Sequence, residues 1–172
     1  MRSSTGARSG ERMITLSWTR QVNTAGEAGK PATTRGQLWR ALLHKAEHPV
    51  GYVPAITSCR ILERYGDGFL REATRGDRTL VQRVTPDETS GRITFRHTDA
   101  SDLHTITNQI GEDAHGNLTL TLSITLTDAP SEAVLGQNSY LRELDTDFAV
   151  TLDAMTAVLR RNAVSASDAL RH

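Results

Sequence analysis

The stretch HKAEH, residues 44–48, has the residue types and spacing most suggestive of chemistry in this sequence. Two histidines and a glutamate in the order H-x-x-E-H form the pattern of one class of zinc peptidases. At about 100° per residue, however, His44 and His48 fall nearly opposite the apolar stripe of the helix predicted to contain them. That face usually meets water, and no third ligand has a recognisable spacing. We therefore predict an outer helix face without a metal site, and no cofactor for the protein.

Three charged residues lie in the middle of predicted strands: Arg71 and Glu72 in GFLREATR, and Arg83 in RTLVQRVT. On adjacent antiparallel strands these side chains could pair across the sheet in contact with water. If one of them instead faces the interior, its buried charge needs a partner, and a ligand carboxylate or phenolate could supply it.

The strand LHTITNQI adds a titratable group and an amide. His104 and Asn108 share one face with Ile106 and Ile110. Either this face points inward, or the face with Leu103, Thr105 and Thr107 does, and the mixed pattern leaves both alternatives open. In the first case His104 could act as a general acid or base.

No glycine-rich phosphate loop and no G-x-S-x-G sequence are present.

The elements that must position these residues follow from periodicity. Residues 13–22 alternate as a half-buried strand, residues 23–32 read as a loop, and apolar residues at helical spacing follow until Pro49. Six further strands, separated by short turn signals, run from Ile56 to residue 128 and predict an antiparallel meander. A long amphipathic helix, with Leu141, Phe148 and Met155 on its apolar stripe, closes the sequence and has to cover the apolar face of the sheet.

Composition narrows the class of protein. The 172 residues fit one domain, and 20 basic residues balance 20 acidic ones without charge blocks. We expect no nucleic-acid partner and no integral membrane association, because neither a basic patch nor a long apolar run is present. Cys59, the single cysteine, fits a reducing compartment as a buried apolar side chain, so a cytoplasmic location is expected.

The sequence LWRALLHKAEHPVGYVPAITSCRILERYGDGFLREA, followed by TLVQRVTP, resembles the START-like superfamily, also called SRPBCC. The superfamily includes the birch-pollen allergen and plant pathogenesis-related proteins. The resemblance is closest to a largely uncharacterised bacterial and fungal branch and covers roughly residues 13 to 162. It implies an α+β helix-grip fold, in which a seven-stranded curved antiparallel sheet wraps over a long carboxy-terminal helix, with a short helical segment after the first strand. We divide the chain into an amino-terminal tail (1–12), this single domain (13–162) and a carboxy-terminal tail (163–172).

This resemblance implies a cavity between sheet and helix that encloses a small hydrophobic or amphipathic molecule, such as a lipid, polyketide or aromatic metabolite. Its apolar lining is expected from strand and helix side chains: Ile61, Leu80, Phe95, Leu120, Leu122, Phe148 and Leu152. Tyr52, near the cavity mouth, and Tyr140, at the start of the long helix, could add hydrogen bonds. With Arg71, Glu72, Arg83, His104 and Asn108 they complete the predicted ligand site.

Two functions remain open from the sequence. A binding protein is favoured because no catalytic constellation is evident, and the alternative is an enzyme of secondary metabolism that resembles polyketide cyclases and aromatases. We predict no catalytic residue for the first function and expect a monomer or a weak homodimer. A fold of this kind hosts many functions, so the choice depends on which polar side chains face the interior.

Overall fold

Short extended segments with alternating polarity contain more than half of the residues that the structure describes. The computed structural model describes residues 14–22, 33–98, 103–126 and 145–158. A second helix, α2, spans residues 145–158 of the described chain. The other elements, in chain order, are β1 (Ile14–Gln21), α1 (Arg35–Glu47), β2 (Ile56–Tyr65), β3 (Gly68–Arg75), β4 (Arg78–Asp87), β5 (Arg92–His97), β6 (Leu103–Glu112) and β7 (Leu118–Leu126).

The strands pair into one antiparallel sheet with the order β1-β7-β6-β5-β4-β3-β2. Strands β2 to β7 are therefore neighbours in sequence and in space, and the predicted meander is confirmed. Strand β1 pairs with β7, so the first and last strands of the chain lie side by side. The predicted helix-grip arrangement, with seven strands and helices on one face, is confirmed as well.

The two faces of the sheet differ because side chains alternate along each strand. On β7, Leu120 and Ile124 are buried, while the intervening threonine and serine residues face outward. These hydroxyls hydrogen-bond directly across to β1, with oxygen–oxygen distances of 2.7 Å for Thr19–Thr121 and 2.8 Å for Ser17–Ser123. The period-two pattern of LTLTLSITL thus decides which face packs against the helices.

Helix α2 packs on the inner face through its apolar stripe, in which Phe148, Leu152 and Met155 are buried. They belong to the same core cluster as the inward residues of the sheet and the apolar face of α1. The predicted stripe is confirmed for these three positions. Its other members, together with both tails, the loop at 23–32 and the connector at 131–138, lie outside the described residues.

Two ion pairs show how strongly the sheet curves. Asp145 accepts from Arg20 of β1 at 3.2 Å, and Asp147 accepts from Arg75 of β3 at 2.6 Å. In a flat sheet β1 and β3 would be about 24 Å apart at the usual strand spacing. Because carboxylates two residues apart on α2 reach both strands, the sheet must wrap around the beginning of this helix.

None of the helices in the described ranges is long and apolar enough to cross a membrane.

The start of α1 is defined by a capping box. The Thr34 hydroxyl accepts a hydrogen bond from the Gln37 backbone N–H at 3.1 Å, and the Gln37 side chain accepts one from the Thr34 N–H at 2.9 Å. Thr34→Ala should lower the free energy of unfolding by about 0.5–2 kcal/mol, as measured by urea denaturation. Thr34→Ser, which keeps the hydroxyl, is the control. Equal denaturation midpoints for the two variants would refute this contribution of the cap.

Candidate functional site

Arg71 is a charged side chain at the centre of the inner face, where it is only 5% exposed. Its Nε and Nη2 both donate to Gln82 Oε1, at 2.9 and 2.7 Å, and its Nη1 donates to the Ala46 carbonyl at 2.7 Å. The guanidinium also lies over the Phe95 ring, 4.7 Å from its centroid. Burial lowers the pKa of Arg71 to about 10, so the group is still cationic at neutral pH.

The hydrogen bonds of Arg71 continue along the sheet to His97. Gln82 Oε1 is occupied by the guanidinium, so the amide nitrogen of Gln82 is the atom 3.2 Å from His97 Nε2. An amide nitrogen only donates, and His97 Nε2 must therefore accept, which requires a neutral imidazole. This chain of hydrogen bonds runs from Ala46 through Arg71 and Gln82 to His97, and it links the end of α1 to three neighbouring strands.

Lys45 brings a second cation into the same region from the last turn of α1. The residue is 8% exposed, and its Nζ donates to Asn108 Oδ1 at 2.5 Å. The Nζ also lies 5.6 Å from the centroid of the Phe95 ring that Arg71 contacts. Burial, and then the positive charge of Arg71, lower the pKa of Lys45 from 10.5 to about 7. The amine is therefore divided between its charged and neutral forms at neutral pH.

The two cations have no acidic partner in the described part of the chain. Their polar contacts are the neutral oxygens of Gln82, Ala46 and Asn108, and every ion pair found in the described ranges involves other residues. Protonated Lys45 has three N–H donors and Arg71 has five, of which these bonds use one and three. Buried charges are usually paired, so this cluster is electrostatically incomplete. We call Lys45, Arg71, Gln82, His97 and Asn108 the inner polar cluster.

HKAEH itself lies at the junction of this cluster with solvent. His44 and His48 are exposed as predicted, their rings 5.0 Å apart, and His44 Nδ1 forms a 2.8 Å hydrogen bond with the hydroxyl of buried Tyr52. No three His, Cys, Asp or Glu side chains of the described residues are arranged to hold a metal ion. The interpretation of the whole stretch as an outer face is wrong for Lys45, which is buried at its centre.

Comparison with known proteins supplies a family. No curated protein matches the sequence significantly. A family model described as acetylaranotin biosynthesis cluster protein L matches residues 16–166, which is most of the chain. The chain belongs to this acetylaranotin cluster protein L family. The match includes α1, α2 and the seven strands of the described sheet, except the first residues of β1, and it includes every member of the inner polar cluster.

Solved structures with the same fold extend the comparison beyond the family. The Zhui aromatase/cyclase from Streptomyces sp. R1128 is 16% identical, with a TM-score of 0.65 over 87% of this chain and 95% of that one. Ara h 8.0201 is 15% identical, with a TM-score of 0.57 over 86% and 98%. The di-domain ARO/CYC StfQ from the steffimycin biosynthetic pathway is 17% identical, with a TM-score of 0.61 over 88% of this chain and 52% of that one. These structural similarities, together with the observed sheet and helices, show that the chain shares the fold of these proteins, as the helix-grip prediction requires.

Most of the predicted ligand-site residues of this family member do face the interior. Arg71, Phe95 and Asn108 are buried next to one another, and Tyr52 is buried beside α1. Leu80 is opposite buried Ala73 in the register, so it also points inward, although it is half-buried. The remaining apolar candidates are buried or pack against the core: Ile61, Leu120, Leu122, Phe148 and Leu152.

Glu72 and Arg83 face the opposite side of the sheet, and the prediction that they line the interior is wrong. Glu72 accepts from Arg60 at 2.9 Å, and Arg83 lies 4.0 Å from the Tyr65 ring centroid and donates to Asp67. Alternation explains the result, because Arg71 and Gln82 occupy the inward positions directly before them. The predicted cross-strand ion pair between Glu72 and Arg83 does not form, because Glu72 pairs with Arg60 of β2 and Arg83 with Asp67. Tyr140 and the His104 side chain lie outside the described residues.

Three members of the inner polar cluster were missed by the sequence reasoning: Lys45, Gln82 and His97. The signal for two of them was present, since Gln82 alternates with Val84 on β4, and His97 with Ile93 and Phe95 on β5. Lys45 gave no such signal. Lysine is rarely buried without a charged partner, yet the buried face of α1 includes Ala41 and Lys45 beside its leucines.

Burial of the Lys45 amine predicts a specific dependence of stability on pH. Between pH 7 and about 10 the unfolded chain binds more protons at this lysine than the folded chain, because the pKa is near 10.5 when unfolded and about 7 when folded. The free energy of unfolding should therefore rise with pH in this window through Lys45. Lys45→Met should remove this rise and stabilise the protein by roughly 1–4 kcal/mol at pH 6 to 7. Urea denaturation from pH 6 to 9 measures both effects.

Arg60→Met is the control for that substitution, because Arg60 is exposed on the outer face of the sheet. It should leave the pH dependence of unfolding unchanged. Parallel pH profiles for the wild-type protein and Lys45→Met would show that the amine titrates normally in the folded state, contrary to the prediction.

Removing Arg71 should have the opposite effect on stability. Arg71→Met leaves Gln82 Oε1 and the Ala46 carbonyl without their donor, and we expect a loss of about 2–4 kcal/mol in the free energy of unfolding. Adding Gln82→Leu removes one of the orphaned acceptors, so the double variant should recover part of the loss. A double variant that is less stable by the sum of both single effects would contradict the coupling.

Proposed function

We propose that this protein binds a small hydrophobic or amphipathic molecule inside the helix grip, with the apolar part of the molecule against the sheet and α2. The observation that carries the proposal is the inner polar cluster, which places polar and charged groups within an otherwise apolar interior. Binding sites for small molecules commonly combine an apolar lining with a few convergent polar groups.

The energetics support a functional explanation for this cluster. A buried amine whose pKa is lowered to about 7 by desolvation destabilises the folded state at neutral pH relative to an apolar side chain. Arg71 has a structural explanation, since it caps the carbonyl end of α1 and is favoured by the negative end of the helix dipole. Among the residues that the structure describes, Lys45 has one hydrogen-bond partner, the side-chain amide of Asn108, which could itself accept from other donors. Destabilising polar groups of this kind are typical of sites maintained for function.

The comparisons agree with this proposal without specifying the ligand. The family model is named after a protein of a biosynthesis cluster, and two of the similar structures are named as aromatase/cyclases. The common element is a START-like fold that surrounds an interior. We infer that the ligand is a metabolite, and we favour a polyketide-like or aromatic molecule over a nucleic acid or a protein.

Binding can be tested with N-phenyl-1-naphthylamine, a neutral apolar probe whose fluorescence rises in apolar surroundings. We expect saturable binding by the wild-type protein. Leu152→Phe, on the buried face of α2, should weaken binding about tenfold or more by filling interior space. Val150→Phe, on the exposed face of the same helix, is the matched control and should bind as the wild-type protein does. Absence of saturable binding, or equal effects of the two variants, would contradict an interior binding site.

A second candidate is a cyclase-like enzyme, and the state of Lys45 favours it. An amine with a pKa near 7 can remove a proton from a carbon between two carbonyl groups, and the spare N–H donors of Arg71 can stabilise the enolate oxygen that results. Aldol condensation of a poly-β-ketone requires these two operations. Steady turnover of a poly-β-ketoacyl thioester, lost in Lys45→Met and kept in Arg60→Met, would establish the enzyme; its absence leaves the binding function.

A further inference from the structure

The charge of the inner polar cluster allows the ligand class to be narrowed. We propose that Lys45 and Arg71 together form an oxyanion subsite, which takes a carboxylate, phenolate or enolate of the bound molecule and which charges Lys45 when the anion enters. This inference rests on the proposed function, because it concerns the polar end of the same small molecule.

The geometry brings the two cations against the same aromatic ring from different elements. Lys45 comes from the last turn of α1 and Arg71 from the middle of β3, and both contact the Phe95 ring, at 5.6 and 4.7 Å from its centroid. Like charges held together in a buried region repel each other, and here no carboxylate of the described residues offsets that repulsion. An anion would neutralise the pair, which is the opposite of what an added cation or a neutral group would do.

The hydrogen-bonding capacity points to an acceptor. Two N–H donors of protonated Lys45 and two of Arg71 remain after the bonds to Asn108, Gln82 and Ala46 are counted. The existing contacts show the same preference for an acceptor, because the side-chain oxygens of Asn108 and Gln82 accept hydrogen bonds from the two cations. A carboxylate or enolate accepts several such bonds, and the charged bonds are stronger than neutral ones.

The other ionisable groups around the subsite do not supply an anion. His97 on β5 accepts from Gln82 and is neutral in that arrangement, and Cys59 on β2 is a thiol whose pKa is raised by burial. On α1 itself, His44 and His48 are exposed, and Glu47 pairs with Arg64 at 2.8 Å. On α2, Asp147 pairs with Arg75. The anion must therefore come from the ligand as far as the described residues are concerned.

Matched pairs of probes test this proposal: naphthalene-2-carboxylate against its neutral carboxamide, and dodecanoate against dodecanamide. At pH 6.5 we expect at least one carboxylate to bind at least tenfold more tightly than its amide, by isothermal titration calorimetry. Lys45→Met should remove most of this preference and leave the amide affinity unchanged, while Arg60→Met should change neither. Equal affinity of acid and amide for the wild-type protein overturns the oxyanion subsite but not the proposed function. If neither these probes nor N-phenyl-1-naphthylamine bind, the proposed function fails and the subsite with it.

The protonation of Lys45 can be followed directly, since the chain has only two lysines, Lys30 and Lys45. In protein labelled with ¹³C-lysine, the signal missing from Lys45→Met identifies Lys45, and a pH titration gives its pKa. The carboxylate that binds should raise this pKa well above 7, and its amide should not. Carboxylate affinity should accordingly fall as pH rises from 7 to 9, up to tenfold per unit, because binding then takes up a proton. If the carboxylate affinity of His97→Gln falls with pH in the same way, titration of the histidine is excluded as the cause of the fall. An unchanged Lys45 pKa in the complex refutes the proposal.

Discussion

The Arg71 guanidinium joins the helical layer to the sheet at the centre of the molecule. One side of its planar fork is taken by Gln82 on the neighbouring strand, and the other by the last turn of α1 through the Ala46 carbonyl. A carbonyl at a helix end must find a donor when it is buried. By providing that donor, Arg71 determines where α1 ends on the sheet, and thereby where the next residue back, Lys45, enters the interior.

This constraint explains why burial affects the charge of the two cations differently. Arg71 is surrounded by acceptors that fit its fixed donor geometry, and burial leaves it charged at neutral pH. Lys45 hydrogen-bonds to Asn108 alone in the described part of the chain, and burial together with the charge of Arg71 lowers its pKa to about 7. The arginine is structural as well as electrostatic, whereas the lysine is the group whose state can change with pH and with a ligand. Binding and proton transfer, the two functions considered for this interior, both depend on that difference.

The prediction from sequence was reliable where one periodic pattern determined the result. Seven strands, their antiparallel order and the capped helix follow from alternation and spacing, and the family motifs add the helix grip. The predicted site was partly right, with Arg71, Phe95 and Asn108 facing inward, but Glu72 and Arg83 lie on the outer surface. Strand phase rather than residue type decides these two positions, because side chains alternate along a strand. The inward polar positions on β4 and β5 belong to Gln82 and His97, which carry no formal charge signal in the sequence.

Local sequence by itself determined the elements, because hydrogen bonding and side-chain alternation within a segment depend on neighbours a few residues away. Only the tertiary structure decided that Lys45 is buried and HKAEH is divided between solvent and interior. The rotation of α1 about its axis is set by contacts with distant strands, such as Lys45 with Asn108 and Ala46 with Arg71. The pKa of the amine depends on the same contacts, because desolvation and the charge of Arg71 arise only when β3 and β6 close around the end of the helix.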